Sequence, residues 1–257
     1  MLGYFRLRVR GRDTALPAAA QRLVALLALR GRTSRSRAAG TLWPETTEHR
    51  ALASLRTAIW RVNQAAPALV WCPGGDVDLD DTVSIDIRQL VQYGLAALSP
   101  DGADRGDIPV AHLGVNLIEA ESELLPDWEE EWLLTDRQRL RQLRLHLLEI
   151  IAERLAAQEH FGLAMEAALA ALRADDLRES AHRAVIKIHI AEGNLVEARR
   201  AYGTCRTLLV HGLGIEPSPM AARLLVASKS LGGPPKRGPS PLRATEAASA
   251  AAGGAAF

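Results

Sequence analysis

Residues 48–66 carry polar side chains at a spacing that would place them together on one side of a helix. At 100° per residue, Leu52, Leu55, Ile59 and Val62 fall on one face, and a helix with such an apolar face packs against a core. The opposite face carries side chains that can donate hydrogen bonds, namely Arg50, Ser54, Thr57, Arg61 and Gln64, with Trp60 at its edge. Arginine can pair with the O6 and N7 atoms of guanine, glutamine with adenine, and hydroxyl groups with bases or phosphates. This chemistry suits the major groove of DNA, although an ordinary amphipathic helix with a polar outer face explains the same residues.

The charge is unevenly distributed along the chain. The 257 residues carry a net charge of +1, but residues 1–66 contain twelve arginines and three acidic residues, a net charge of +9. Residues 67–135 carry a net charge of −13, and residues 136–257 one of +5. A basic block of this kind attracts a polyanion, and an acidic block is repelled by one. Charge alone does not distinguish a surface that binds a polyanion from a basic face that is merely solvated. The order of the secondary-structure elements has to decide between these two interpretations.

The elements before the candidate helix follow the order of a winged helix-turn-helix domain. Apolar and basic residues alternate over residues 4–10, which predicts a strand, and residues 14–16 are expected to return as its partner. Pro17 is suited to the start of a helix and Gly31 to its end. Ser34 is a candidate N-cap for a second, short helix.

A β-hairpin is predicted directly after the third helix. Residues 68–71 and 77–79 flank a Pro-Gly-Gly-Asp turn, at the position where a winged helix carries its wing. Two strands, three helices and a hairpin together predict a winged helix-turn-helix DNA-binding domain over residues 1–82. Arginines on the second helix and beside the polar face are better placed for phosphate contacts, which position a protein on DNA without reading its sequence. The candidate DNA-binding residues are therefore Arg35, Arg37, Arg50, Ser54, Arg56, Thr57, Trp60 and Arg61.

Residues 83–230 predict an all-α domain. A helix is expected at residues 86–98 and a long one from Asp127 to about Gln158, where acidic residues 129–131 in the first turn would complement the helix dipole.

A repeat with a period of 34 residues pairs Ala164 with Ala198 and Ala171 with Cys205, which is typical of stacked tetratricopeptide hairpins. The expected fold is mainly α, with small β elements in the winged helix-turn-helix and a tetratricopeptide-like helical domain. Residues 231–257 are rich in Pro, Gly, Ala and Ser, which predicts a disordered tail.

The sequence contains no pattern that favours an enzyme or a metal site. It has neither a His-Glu-x-x-His motif nor a phosphate-binding Gly-x-x-x-x-Gly-Lys-Ser/Thr loop, and no arrangement of a nucleophile with a base is evident. Cys72 and Cys205 lie too far apart in the sequence to suggest a zinc site or a disulfide framework. No run approaches the roughly 20 apolar residues that span a bilayer. We therefore expect no catalytic residue, cofactor or metal, no membrane partner, and a cytoplasmic, nucleoid-associated protein.

Several segments resemble the actinobacterial antibiotic regulatory proteins. The sequences SRSRAAGTLWP at residues 34–44 and ASLRTAIWR at residues 53–61 are similar to the winged helix of that family. LLPDW at residues 124–128 and RQRLRQLRLH at residues 137–146 look like the heart of its bacterial transcriptional activation domain, and LGIEPSP at residues 213–219 like its closing signature. One departure is Asn63, which stands where the family usually has an arginine.

The resemblance implies a transcriptional activator of a biosynthetic gene cluster. Two copies would bind tandem direct repeats upstream of a promoter, and the helical domain would support dimerisation on DNA and recruit RNA polymerase. The alternative from the residues alone is a tetratricopeptide-like protein-interaction module without specific DNA binding.

Overall fold

The computed structural model describes residues 1–98 and 123–231. The tail predicted for residues 231–257 lies outside the described residues, apart from Leu231. The fold is mainly α with small sheets at the N-terminal end, as the sequence predicts. No helix in the described ranges is long and apolar enough to cross a membrane.

The chain begins with a short hairpin in which β1 (Arg8–Val9) pairs antiparallel with β2 (Arg12–Asp13). The strands are shorter than predicted, and β2 starts before residue 14. The reason is the tight turn between them, where Arg10 and Gly11 have φ values of 50° and 78°. Both values lie in the left-handed region, which reverses the chain within two residues.

The first helix, α1 (Ala18–Arg30), has the predicted bounds. Pro17 is its N-cap residue, and Gly31 ends it with φ at 69°. Every side chain from Leu23 to Ala28 is buried, so α1 is the central helix of the N-terminal core.

Two further helices complete the helix-turn-helix unit: α2 (Arg35–Leu42) and α3 (Glu48–Ala65). The hydroxyl oxygen of Ser34 accepts a hydrogen bond from the Arg37 backbone N–H at 3.3 Å, which confirms the predicted N-cap of α2. The buried side of α3 consists of Ala51, Leu55, Ala58, Ile59 and Val62, with Leu52 partly buried beside them. The apolar periodicity therefore identified the packed face of α3.

The predicted wing is formed by β4 (Val70–Trp71) and β5 (Asp76–Leu79), paired antiparallel. A strand that the sequence did not indicate, β3 (Thr33–Ser34), adds to the other side of β5 and gives the order β3-β5-β4. Because β3 leads directly into α2, the wing is hydrogen-bonded to the start of the helix-turn-helix.

The helical part begins with α4 (Asp86–Leu98). After a 3₁₀ turn at Glu131–Leu133, five helices follow: α5 (Leu134–Ala157), α6 (Phe161–Ala174), α7 (Glu179–Ala191), α8 (Leu195–Leu213) and α9 (Pro219–Leu231). Helices α6 and α8 start 34 residues apart, and the repeat-matched pairs Ala164 with Ala198 and Ala171 with Cys205 are all fully buried. Small side chains at these positions let neighbouring helices approach closely.

The prediction that the long helix begins at Asp127 is wrong, since α5 begins at Leu134. Residues 124–130, before the 3₁₀ turn, are not helical, and contacts with side chains from other parts of the sequence hold them in place. Arg137 of α5 donates to the carbonyl oxygens of Leu124 at 2.9 Å and Trp128 at 2.6 Å. The carboxylate of Glu130 lies 2.8 Å from Nε of Arg22 on α1. The acidic run therefore lies before the long helix, with only Glu131 in the short 3₁₀ turn, and the dipole argument for the first turn of the long helix does not apply to it.

The described residues form two hydrophobic cores. The first combines apolar side chains of α1 to α3 and the wing with Leu124, Leu125, Leu133 and Leu140. The second combines Leu90 of α4 with apolar side chains of α5 to α7. The first core thus draws residues from both sides of the boundary predicted at residues 82 and 83.

Candidate nucleic-acid interface

The outer face of α3 presents most of the predicted site residues to solvent. Its buried side fixes the helix against α1 and α2, so the opposite side is held in a defined orientation. The exposed predicted residues are Arg50, Arg56, Thr57, Trp60 and Arg61. Ser54 is half-buried, which leaves its hydroxyl less accessible than the sequence pattern suggested. The structure therefore brings the α3 candidates to one accessible surface, with Ser54 set back from it.

The hydroxyl of Thr57 is already engaged within the helix. Its Oγ1 donates to the carbonyl oxygen of Ala53 at 3.1 Å, one turn earlier. A hydroxyl has one proton and two lone pairs, so Thr57 can still accept a hydrogen bond while it keeps this one. A cytosine amino group is therefore a chemically better partner for Thr57 than a phosphate oxygen.

Trp60 and Arg61 form a cation–π contact on the exposed surface. The Cζ atom of Arg61 lies 5.0 Å from the centroid of the Trp60 ring, and 54% of Trp60 is exposed. The sequence placed the two residues on adjacent parts of the same face but gave no sign that they touch.

On α2 the predicted arginines differ in their surroundings. Arg37 is exposed, whereas Arg35 is half-buried and its backbone N–H donates to the carbonyl oxygen of Gly75 at 3.3 Å. Gly75 belongs to the turn of the wing, so Arg35 lies where α2 and the wing meet. Residues two apart on a helix do not face each other, so Arg35 and Arg37 lie on different sides of α2.

The arginines of this surface differ from three other basic residues of the N-terminal part in their lack of ion pairs. Within the described part of the chain, the side chains of Arg35, Arg37, Arg50 and Arg56 have neither a hydrogen-bonding nor an ion-pair partner. By contrast, Arg22 pairs with Glu130, Arg30 with Asp136 and Arg32 with Asp76. Helices α2 and α3 thus carry four arginines whose charge is unpaired within the described residues, as is that of Arg10 and Arg12 of the N-terminal hairpin.

The wing carries both apolar and acidic groups. Trp71 and Cys72 are exposed at the end of β4. The carboxylate of Asp76 lies 2.8 Å from Nε of Arg32, which offsets its negative charge, and the carboxylate of Asp78 accepts from the Leu79 backbone N–H. The wing is therefore less repulsive towards a phosphate backbone than its sequence indicates.

Asn63 is a structurally important residue of this surface that the sequence did not reveal. Its side-chain amide donates to the carbonyl oxygen of Val70 at 2.7 Å and accepts from the Val70 N–H at 2.9 Å. It connects the last turns of α3 to the first strand of the wing. The one sequence feature that drew attention to Asn63 was its departure from the arginine usual in the family. That departure indicated a lost positive charge and not a hydrogen-bonding role.

The helix-turn-helix also contacts the helical part of the chain directly. The ring of Phe5 stacks on Trp128 at a centroid distance of 5.9 Å and an interplanar angle of 20°. Arg30 donates to the carbonyl oxygen of Trp132 at 3.0 Å, and its guanidinium lies over the Trp132 ring. These contacts join α1 and the N-terminal segment to the start of α5.

The titratable side chains of the described residues show whether the chain holds a candidate metal site or a reactive thiol there. None of their His, Cys, Asp and Glu side chains form a group of three that could hold a metal ion. Burial raises the pKa of the Cys205 thiol to about 11, so this thiol stays protonated and is a poor nucleophile near neutral pH.

Comparison with known proteins finds a family match within the helical part of the chain. Residues 114–226 match the family described as bacterial transcriptional activator domain. A solved structure of Mycobacterium tuberculosis EmbR, in complex with a low affinity phosphopeptide, superposes with a TM-score of 0.75 at 18% sequence identity. The alignment covers 90% of this chain but 64% of that one, so the chain spans less than two thirds of the EmbR structure. At this identity the likeness establishes a shared fold. The comparison with curated proteins found no match.

Proposed function

We propose that this chain is a transcriptional regulator of the antibiotic regulatory protein type and that it binds double-stranded DNA in a sequence-specific manner. The match of residues 114–226 to the bacterial transcriptional activator domain supports the first part of this proposal. In this proposal α3 lies in the major groove and the wing approaches the neighbouring groove. The observation that carries it is the set of solvent-accessible arginines without ion-pair partners on α2 and α3, together with the buried face of α3 that fixes the orientation of its outer side.

The residues have distinct proposed roles. Arg50 and Arg61 read base edges, because a guanidinium can form two hydrogen bonds with guanine. Thr57 accepts from a base amino group, and Ser54 contributes from its half-buried position. Arg35, Arg37 and Arg56 contact phosphates and set the register of the protein on the duplex. Trp60 lies against Arg61 at the edge of this surface.

The finer biological role rests on the resemblance and on the matched domain. The protein is proposed to be an activator of a biosynthetic gene cluster that binds direct repeats as a homodimer. Its helical domain would recruit RNA polymerase, and the protein would reside in the cytoplasm with the nucleoid. Stacked helical hairpins present surfaces suited to a protein partner, which supports the polymerase-contacting role. The division into a DNA-binding domain over residues 1–82 and an activator domain over residues 83–230 belongs to the same proposal.

The test is a titration of the full chain against labelled DNA from the intergenic region beside its own gene, with a shuffled duplex in parallel. Preferential binding is expected, and its affinity should fall with salt at a log–log slope of about −0.9 per phosphate contact. Equal, weak binding to both duplexes would contradict sequence-specific recognition. It would favour the tetratricopeptide-like interaction module as the functional part.

Variants of α2 and α3 test where the DNA interface lies. Arg50→Ala and Arg61→Ala should each weaken specific binding by about 1–3 kcal/mol if they contact bases. Arg37→Ala should weaken binding to both duplexes alike and reduce the salt slope by about one unit. The matched control is Arg200→Ala, an exposed arginine of α8 that is paired with Glu197, whose loss should leave DNA binding unchanged. Unchanged affinity for the double variant of Arg50 and Arg61 would exclude this orientation of α3.

A further inference from the structure

Trp60 is an exposed aromatic residue with no role in either core. It is the largest side chain on the outer face of α3, and 54% of it is accessible to solvent. It is absent from both groups of packed apolar residues in the described part of the chain. Stability of the fold therefore does not explain a tryptophan at this position.

The contact that Trp60 does make is with the neighbouring arginine. Arg61 bends back over the indole, with Cζ at 5.0 Å from the ring centroid. Consecutive residues on a helix point about 100° apart, so the pair meets only because the flexible arginine side chain folds towards the ring. The contact restricts a side chain that otherwise loses considerable rotamer freedom whenever it binds a partner.

This restriction leaves the hydrogen-bonding groups of Arg61 available. A cation–π contact engages the charge of the guanidinium and not its N–H donors. Within the described residues, the Arg61 side chain donates to no other group. An arginine held in this way presents a pre-oriented pair of donors, which is what recognition of guanine O6 and N7 requires.

We propose that Trp60 is a positioning residue for Arg61, and that it contributes to base discrimination by holding the guanidinium for a guanine edge. The inference rests on the proposed DNA binding through α3. Trp60 acts through Arg61 and not through a DNA contact of its own. Its effect is therefore confined to duplexes that carry the guanine.

The experiment is a double-mutant cycle with the full chain. The probe is the duplex that the wild-type protein binds most tightly in a pool of random-sequence duplexes, and a shuffled version is the reference. Trp60→Ala should lower affinity for the selected duplex about 2- to 5-fold, the strength of an exposed cation–π contact, and leave affinity for the shuffled duplex unchanged. In an Arg61→Ala background the same substitution should have no further effect. Trp60→Phe, which keeps an aromatic face, should restore part of the loss.

The selected base positions give a second measurement that a merely structural role would not change. Selection repeated with Trp60→Ala and with Arg61→Ala should relax the requirement for guanine at the same position. A matched control pair is Tyr4 and Arg6, just before the N-terminal hairpin, where Cζ of Arg6 lies 4.7 Å from the ring centroid of Tyr4 and Tyr4 is 52% exposed. Removing either residue of that pair should leave discrimination intact.

Three outcomes would overturn the inference. Additive losses in the cycle would mean that Trp60 contacts DNA independently of Arg61. Unchanged affinity and selectivity of Trp60→Ala, with normal wild-type binding, would mean that the pair has no role in recognition. A wild-type protein that enriches no duplex would remove the proposed function itself, and the inference with it.

Discussion

Asn63 and Val70 form a reciprocal pair of hydrogen bonds, in which the side-chain amide of Asn63 satisfies both the N–H and the carbonyl oxygen of Val70. The backbone N–H at the start of the wing thus finds its acceptor on α3, not in the neighbouring strand. Val70 itself is buried. Position 63 therefore connects the helix proposed to read DNA with the hairpin proposed to follow the next groove.

Asn63→Ala should destabilise the fold and weaken DNA binding together. The substitution leaves two buried backbone groups unpaired, and we expect a loss of about 1–3 kcal/mol in the free energy of unfolding. Urea denaturation and the DNA titration would measure the two effects. The control is Gln64→Ala, which alters the adjacent exposed residue of α3 and should leave stability within about 0.5 kcal/mol of wild type. Equal stability of the two variants would show that the hydrogen bonds between the Asn63 side chain and the Val70 backbone make no net contribution to the free energy of unfolding.

Elements with local signals were predictable from the sequence. Pro17, Gly31 and Ser34 act on their own neighbours, and the structure places them at the ends of α1 and α2 as predicted. The apolar spacing within α3 likewise gave its exposed face. Such signals depend on residues within one or two turns, so no tertiary information is needed.

The features that were missed depend on distant partners. The strand β3 has two residues and exists because β5, more than 40 residues later, pairs with it. The start of α5 is displaced from Asp127 because Arg22 of α1 pairs with Glu130. The Trp60–Arg61 contact depends on rotamers, which periodicity does not report. In each case the deciding interaction is absent from the local sequence pattern.

Trp128→Ala should destabilise the junction between the helix-turn-helix and the helical part. The indole is partly buried in the first core and stacks on Phe5. Loss of that packing should cost about 2 kcal/mol, below the range for a fully buried tryptophan. Thermal unfolding followed by circular dichroism would measure it. Trp71→Ala on the exposed wing is the matched control and should change stability by less than about 0.5 kcal/mol. An equal, small effect of both variants would mean that the stacked pair does not stabilise the junction.

Glu179 should make the stability of the helical part depend on pH. Burial opposes its ionisation, but hydrogen bonds from the Ser218 hydroxyl and N–H, together with Arg183, lower the pKa of Glu179 below its ordinary value of 4.5. A carboxyl whose pKa is lower in the folded state stabilises that state above pH 4.5, and this contribution disappears as pH falls through the lowered pKa.

Denaturant unfolding between pH 3 and pH 7 should therefore show a difference between wild type and Glu179→Gln that shrinks towards the acid end. Glu197→Gln, at a more exposed carboxylate paired with Arg200, should show little difference at any pH. A constant difference between wild type and Glu179→Gln across the range would contradict the assignment.

Cys205 and Cys72 should differ sharply in thiol reactivity. Cys205 is fully buried at the position in the repeat where the preceding hairpin has Ala171, and its pKa is raised to about 11 by burial. Cys72 is exposed in the wing. Under native conditions at pH 8, an aromatic disulfide reagent should therefore modify Cys72 quickly, and Cys205 only after denaturation, because the thiolate is the reactive form.

Two variants assign the reactions. Cys72→Ser should lose the fast reaction and keep the one that requires denaturation. Cys205→Ala, which copies the residue of the preceding repeat, should keep the fast reaction and the native circular dichroism spectrum. Rapid native modification of Cys205 in Cys72→Ser would show that α8 opens on the timescale of labelling.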